Sequence, residues 1–168
     1  MKRGFISGNS KLYSRKCFGY KQNEDGELII DEEQAEIVRT IYDLYLSGLS
    51  IGLIAKELKI RGINSPQGKD IWSKKSIQTV LGNEKYIGQV LLGKTYTGNF
   101  PNNKQFLNDG EHEQFLMKDA HEPIIGLKKF EQVQEEMKQR SNIEIVNGAS
   151  KRKRTHYSTK RLKNEKHE

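Results

Sequence analysis

The sequence predicts an α+β fold, mainly helical: a helix-turn-helix-like bundle with a small antiparallel β-sheet. Three observations carry this. Apolar residues recur at helical spacing in three successive segments between residues 31 and 82 and again over residues 127–140. Short runs of strand formers flank the helices, one of them closed by the Asp25-Gly26 turn signal. From Ser47 to Gln89, two short amphipathic helices are joined by a long polar turn, and the second opens with two lysines.

Taken in order, residues 1–18 are basic and unpatterned, with Lys2, Arg3, Lys11, Arg15 and Lys16. They read as an arm or linker. Gly19 to Ile30 reads as a hairpin: Tyr20 begins one strand, Asn23 to Gly26 turns, and Leu28-Ile29-Ile30 returns. Asp31 then caps a helix, with Gln34 in the capping-box position. Ala35, Val38, Ile41, Tyr42 and Tyr45 form its apolar face, and Gly48 suits the left-handed residue that ends it. Five acidic residues face one basic residue here, a net of −4. Such a helix is a scaffold, not a surface for phosphates.

Ser50 caps the next helix, where Ile51, Ile54, Ala55 and Leu58 fall at i, i+3, i+4 and i+7. Lys56, Lys59 and Arg61 crowd its C-terminal end, which the helix dipole favours. Asn64, Pro66 and Gly68 mark the turn from Ile63 to Ile71. Trp72, a large aromatic in a small core, reads as an inter-helix wedge. Ser73 caps a third helix with Ile77, Val80 and Leu81 inward and Lys74, Lys75, Gln78 and Thr79 outward.

Tyr86 to Tyr96 is rich in strand formers, and Gln114 to Lys118 is its candidate partner. Thr97 to Glu113 is polar and reads as a mobile loop. Leu127, Phe130, Val133 and Met137 mark the last helix, about Leu127 to Arg140. Apolar content then collapses, and residues 143–168, with Lys151-Arg152-Lys153-Arg154, read as a basic disordered tail. The predicted organisation is an arm over 1–18, a domain over 19–142 and a tail over 143–168.

Composition narrows the function. The 168 residues are 34% hydrophobic and 30% charged, with a formal net charge of +7. That balance favours an anionic partner, nucleic acid before membrane. Residues 49–82 carry six Lys/Arg against two acidic residues, while residues 83–125 carry four against six. The single cysteine, Cys17, excludes an intrachain disulfide and a thiolate zinc cluster. No apolar run is long enough to span a membrane and no signal peptide opens the sequence, so the expected location is the cytoplasm.

The major groove of B-form DNA admits one α-helix, and base edges are reached mainly from its N-terminal residues. Lys74 and Lys75 are placed for phosphates or guanine acceptors, Gln78 for paired hydrogen bonds to adenine, and Thr79 for a thymine methyl. Ser73 and the free N–H groups of the first turn suit a phosphate. Lys59, Arg61 and Lys69, with Arg15 and Lys16 of the arm, suit backbone contacts. A solvated polar face is the competing reading for all of them. His121-Glu122 lacks the HExxH spacing, and with His112 alone it is a poor zinc site. His121 reads instead as a structural hydrogen-bonder beside Pro123. No cofactor and no metal are expected.

The order of the pieces is specific. FGYKQNEDGELIIDEEQAEIVRTIYDLYLSGLSIGLIAKEL leads to RGINSPQGKDIWSKKSIQTVLGNEKYIGQVLLGKTYT and then DAHEPIIGLKKFEQVQEEM. This resembles the recombinase domain of the large serine recombinases, the phage serine integrases and conjugative-transposon recombinases, from about Gly19 to Arg140. The resemblance implies binding to one half of a duplex attachment site for integration or excision of a mobile element. It also implies a preceding domain with the nucleophilic serine and a following zinc ribbon in a full-length parent. The sequence departs on both sides. Tyr13-Ser14-Arg15 does not match the catalytic tyrosine–arginine–serine pattern, and no paired cysteines follow Tyr157. The chain is therefore expected to be the middle of such a protein, non-catalytic by itself and monomeric in isolation. Competing readings are a stand-alone helix-turn-helix regulator, an RNA- or protein-binding module, and a zinc nuclease on His112 and His121.

Overall fold

The computed structural model of the protein describes residues 14–98, 104–108, 110–141, 143–146 and 149–152. The arm residues Lys2, Arg3 and Lys11, the loop residues Asn99, Asn102 and Asn103, and the basics from Lys153 onward lie outside them. The fold is α+β: four α-helices, a 3-10 turn and four two-stranded antiparallel sheets among the described residues. The chain divides into two compact units, Met1–Ala35 with Glu84–Ile124, and Glu36–Asn83 with Ile125–Glu168.

In the first unit, β1 (Tyr20–Gln22) pairs with β2 (Leu28–Ile30) across the expected turn, Asn23 to Glu27. The first helix, α1 (Glu32–Leu46), starts there and continues into the second unit. Asp31 caps it through Oδ1, which accepts from the Gln34 N–H at 3.3 Å. The reciprocal half of the capping box is not made. Gln34 Oε1 accepts instead from the Gly19 N–H at 3.0 Å, and the Asp31 N–H is taken by the Gly19 carbonyl. The cap is thereby joined to the hairpin.

Downstream, Glu84–Ile87 forms the 3-10 turn, so Tyr86 is not a strand residue as its type suggested. Strand β3 (Val90–Leu92) pairs with β6 (Phe115–Met117), as the sequence indicates. Between them β4 (Thr95–Thr97), at the end of the expected strand-forming run, pairs with β5 (Gln105–Leu107), where the sequence suggested a loop. The buried Asn108 accounts for the difference. Its amide donates to the carbonyls of Gly93 and His112 at 2.7 and 2.8 Å, and its oxygen accepts from the Gly110 and His112 N–H groups. One side chain thus replaces the backbone partners that a tight turn leaves bare.

Tyr20 centres this unit. Its ring meets His121 edge-on at 4.7 Å, and its hydroxyl donates to the Glu122 carbonyl at 2.8 Å. His121 Nε2 lies 2.7 Å from the Lys85 carbonyl, so Nε2 carries the proton and buried Nδ1 is left without a partner. Burial holds its pKa below the usual imidazole value. Gly88 fits beside it for two reasons: its φ is +75°, and a Cβ there would stand 2.7 Å from the His121 carbonyl.

The second unit is helical. Gly48, at φ +100°, ends α1, with the Leu49 N–H returning to the Leu44 carbonyl. Ser50 caps α2 (Ile51–Ile60), Ser73 caps α3 (Lys74–Leu81), and α4 spans Leu127–Arg140. The core takes Val38, Ile41, Tyr42 and Tyr45 from α1 and Ile54 and Leu58 from α2. It adds Trp72, then Ile77, Val80 and Leu81 from α3, and Val133 from α4. Every inward residue proposed for α3 is buried. The turn between α2 and α3 is organised by Ser65, which is 6% exposed: its N–H donates to the Lys69 carbonyl and its Oγ accepts the Lys69 N–H. Beyond α4, backbone β7 (Ile143–Val146) pairs with β8 (Ala149–Arg152), so residues expected in a tail form a hairpin.

Candidate nucleic-acid interface

Helix α3 is short, and its position is set from both ends. At its start, Ser73 Oγ accepts from the Ser76 N–H at 3.0 Å and lies 2.8 Å from the Ser76 hydroxyl. Trp72, 1% exposed, donates its indole N–H to the Ile63 carbonyl at 3.1 Å. The wedge reading of Trp72 therefore holds, and the wedge ties the turn to the root of the helix. Burial of Ile77, Val80 and Leu81 leaves one outward face on an eight-residue helix.

That face carries Lys74, Lys75, Gln78 and Thr79, all exposed, with exposed Ser73 at its head. It holds no acidic residue. Among the described residues, no hydrogen bond or ion pair engages the side chains of Lys74, Lys75 or Gln78. The Thr79 hydroxyl donates to the Lys75 carbonyl at 2.9 Å, which leaves its methyl as the group free for contact. The Ser73 hydroxyl is committed to its cap, so a phosphate here would meet the N–H groups of Lys74 and Lys75, which have no intrahelical partner. Lys74 Cε lies over Gly52, where an added Cβ would stand 3.6 Å from it, so the side chain leans across the first turn of α2.

The flanking basics are less free. Lys59 Nζ lies 3.7 Å from Asp70, and Arg61 Nε donates to Glu57 Oε1 at 2.9 Å. Both pairs are exposed, where such contacts contribute about 0–1 kcal/mol. Lys69 is exposed on the same turn. Arg15 and Lys16 are exposed too, and they belong to the first compact unit. Its Lys85 ammonium donates to the Arg15 carbonyl.

His112 is exposed and packs edge-on against Tyr96 at 4.2 Å. Among the described residues, no three His, Cys, Asp or Glu side chains group as a metal site. Among them, too, no helix is long and apolar enough to cross a membrane. Sequence reasoning missed Ser65, whose small polar side chain looked like one more turn former, and Tyr42 and Gln134, whose partners lie far along the chain.

Residues 32–140 match the family model described as Recombinase. The chain belongs to the Recombinase family. That span holds all four helices and both halves of the β3–β6 pair. Among solved structures, the chain is similar to one described as the crystal structure of an LSR–DNA complex. The TM-score is 0.57 at 24% identity, over 86% of this chain and 39% of that one. It is also similar to a structure concerned with the sequence requirements of the Listeria innocua prophage attP site. There the TM-score is 0.56 at 24% identity, over 82% of this chain and 52% of that one. Both likenesses establish a shared fold, and the chain spans about two fifths to half the length of the proteins it matches.

Proposed function

We propose that the chain is the duplex-DNA-binding part of a site-specific recombinase and that α3 reads an attachment half-site in the major groove. The observation that carries this is the outward face of α3: Lys74, Lys75 and Gln78 stand exposed on a capped helix, with no hydrogen-bond or ion-pair partner among the described residues. Long polar side chains left untied at the N-terminal end of a helix are the groups that reach base edges. Lys74 and Lys75 take phosphates or guanine N7 and O6. Gln78 pairs with adenine, and the Thr79 methyl meets a thymine methyl. The first-turn N–H groups beside Ser73 hold a phosphate. Lys59, Arg61 and Lys69, with Arg15 and Lys16, add backbone contacts that carry charge but no sequence information.

In this reading residues 19–142 form the DNA-binding domain and strand cleavage belongs to a separate domain, so the chain alone binds without cutting. Its partner is a duplex attachment site, and its place of work is the cytoplasm. The two similar structures support the reading through what is said of them: one is a DNA complex, and the other concerns an attP site.

The test is selection from a random duplex pool, followed by competition between the enriched sequence and a shuffled duplex. The unaltered chain prefers the enriched sequence. The triple variant Lys74→Ala, Lys75→Ala, Gln78→Ala loses that preference and keeps its fold. A triple variant that discriminates as well as the parent removes α3 as the reader.

A further inference from the structure

The C-terminal end of α3 is held by two side chains from two other helices. Tyr42, on α1, is fully buried, and its hydroxyl lies 3.1 Å from the carbonyl oxygens of both Val80 and Leu81. Gln134, on α4, donates from Nε2 to the Leu81 carbonyl at 2.7 Å. All three helices share the second compact unit at these residues. Burial pushes the Tyr42 hydroxyl well above the usual phenol range, so it keeps its proton at neutral pH.

We infer that Tyr42 and Gln134 are positioning residues that fix the rotation and tilt of α3, and thereby the sequence preference assigned to its outward face. The inference rests on the DNA-reading proposal above. The physical reason lies in what apolar packing cannot do. Ile77, Val80 and Leu81 bury one face of α3, but burial is non-directional and tolerates small rotations and slides. Hydrogen bonds lose strength steeply with angle, so the Tyr42 O–H, shared between the Val80 and Leu81 carbonyls, and the Gln134 N–H on Leu81, coming from different directions, leave one pose. The helix is eight residues, about 12 Å, so slack at Leu81 is carried to Lys74. Paired contacts to a base need placement within about 0.5 Å, and phosphate contacts are more forgiving. Loosening the clamp therefore degrades discrimination before it degrades affinity for duplex in general.

The experiment uses the full chain carrying Tyr42→Phe and Gln134→Leu together. Both changes keep charge and approximate volume and leave the Leu81 carbonyl without its two side-chain donors. Probes are a duplex enriched from a random pool by the unaltered chain, and its shuffled counterpart. The expected result is a loss of about tenfold or more in the ratio of the two affinities, the scale of about 1.4 kcal/mol of lost discrimination. The shuffled duplex and the salt slope stay unchanged. Amide exchange quickens over Ile77 to Leu81 and stays constant at Ile54 and Leu58 of α2. Val133→Ala serves as a control that lowers stability from within α4 while retaining both donors, and it keeps the ratio. An unchanged ratio in the folded double variant, or an equal loss in the Val133→Ala control, overturns the positioning role and leaves the DNA reading standing. An unaltered chain with no sequence preference overturns the DNA reading and this role with it, while faster exchange in α3 alone then still marks a clamp within the fold.

Discussion

Helices α3 and α4 begin alike and end differently. Each is amphipathic, and each carries two adjacent lysines in its first turn, Lys74-Lys75 in one and Lys128-Lys129 in the other. In α4 the charge is spent within the protein. Lys129 reaches Asp43 of α1 at 2.6 Å. At the far end Arg140 bonds Glu136 and the carbonyls of Leu49 and Tyr45, with its guanidinium 4.3 Å over the Tyr45 ring. Glu131, Glu135 and Glu136 balance most of the rest. In α3 the side chains of other helices tie the C-terminal end, while among the described residues the lysines have no hydrogen-bond or ion-pair partner, and their helix holds no carboxylate. Lys129 thus marks a strut in one place, and Lys74 with Lys75 a candidate reader in the other. The distinction lies in the partners, not in the residue types.

The sharpest way to break the comparison is to remove both lysine pairs in separate variants. Lys74→Ala, Lys75→Ala with Gln78→Ala is expected to cost sequence discrimination at least about a hundredfold, since each good base contact is worth about 1–3 kcal/mol. Lys128→Ala with Lys129→Ala leaves discrimination unchanged. Binding titrations on enriched and shuffled duplexes check both. Equal losses in the two variants would mean that charge alone, not α3, drives selection.

Salt gives a smaller effect. Lys75→Ala alone is expected to reduce the slope of log affinity against log salt by about one if Lys75 holds a phosphate. Lys129→Ala, which breaks an internal pair, leaves the slope as it was. Titrations across a salt series measure this.

The caps differ in the same direction. Ser73 caps α3, whereas Gly126 at the head of α4 makes no side-chain hydrogen bond. Ser73→Ala is expected to destabilise by about 1 kcal/mol, and Gly126→Ser to stabilise by a few tenths. Urea unfolding midpoints with unchanged slope report both, and a neutral Ser73→Ala would mean that the cap contributes little to holding α3.

The smallest expected effect lies in the other unit. The folded pKa of His121 lies below its unfolded value, 6.5. The unfolded chain therefore binds more protons between the two, and stability rises with pH through that window. The His121 contribution is complete above about pH 7 and falls as pH drops through 6.5 toward the folded pKa. His121→Gln, which retains a donor for the Lys85 carbonyl, should flatten that part of the profile of unfolding midpoint against pH. An unchanged profile would mean that His121 titrates alike in both states.

The helices were legible in the sequence because their signals are local. Asp31, Ser50 and Ser73 cap where they were expected to, and Ile77, Val80 and Leu81 are buried as their spacing requires. The outward set of α3 was legible for the same reason, since a helix face is fixed once its apolar stripe is known. What was not legible depends on partners far along the chain. Gln34 turns to Gly19 in place of its own cap residue. The β4–β5 hairpin is made of three-residue strands whose ends are secured by Asn108, a residue type that reads as loop. Tyr42 was expected in the core and is there, but nothing local shows that its hydroxyl meets α3. The pairing of Lys59 with Asp70 likewise needed the folded turn.

The most direct measurement of the central claim is methylation interference on a duplex enriched by the unaltered chain. Guanine N7 lies in the major groove and adenine N3 in the minor groove. With α3 as the reader, methylation at guanine N7 within the enriched sequence blocks binding, and the block weakens in the Lys74→Ala, Lys75→Ala, Gln78→Ala variant. Interference confined to adenine N3, or the same pattern in parent and variant, contradicts the claim.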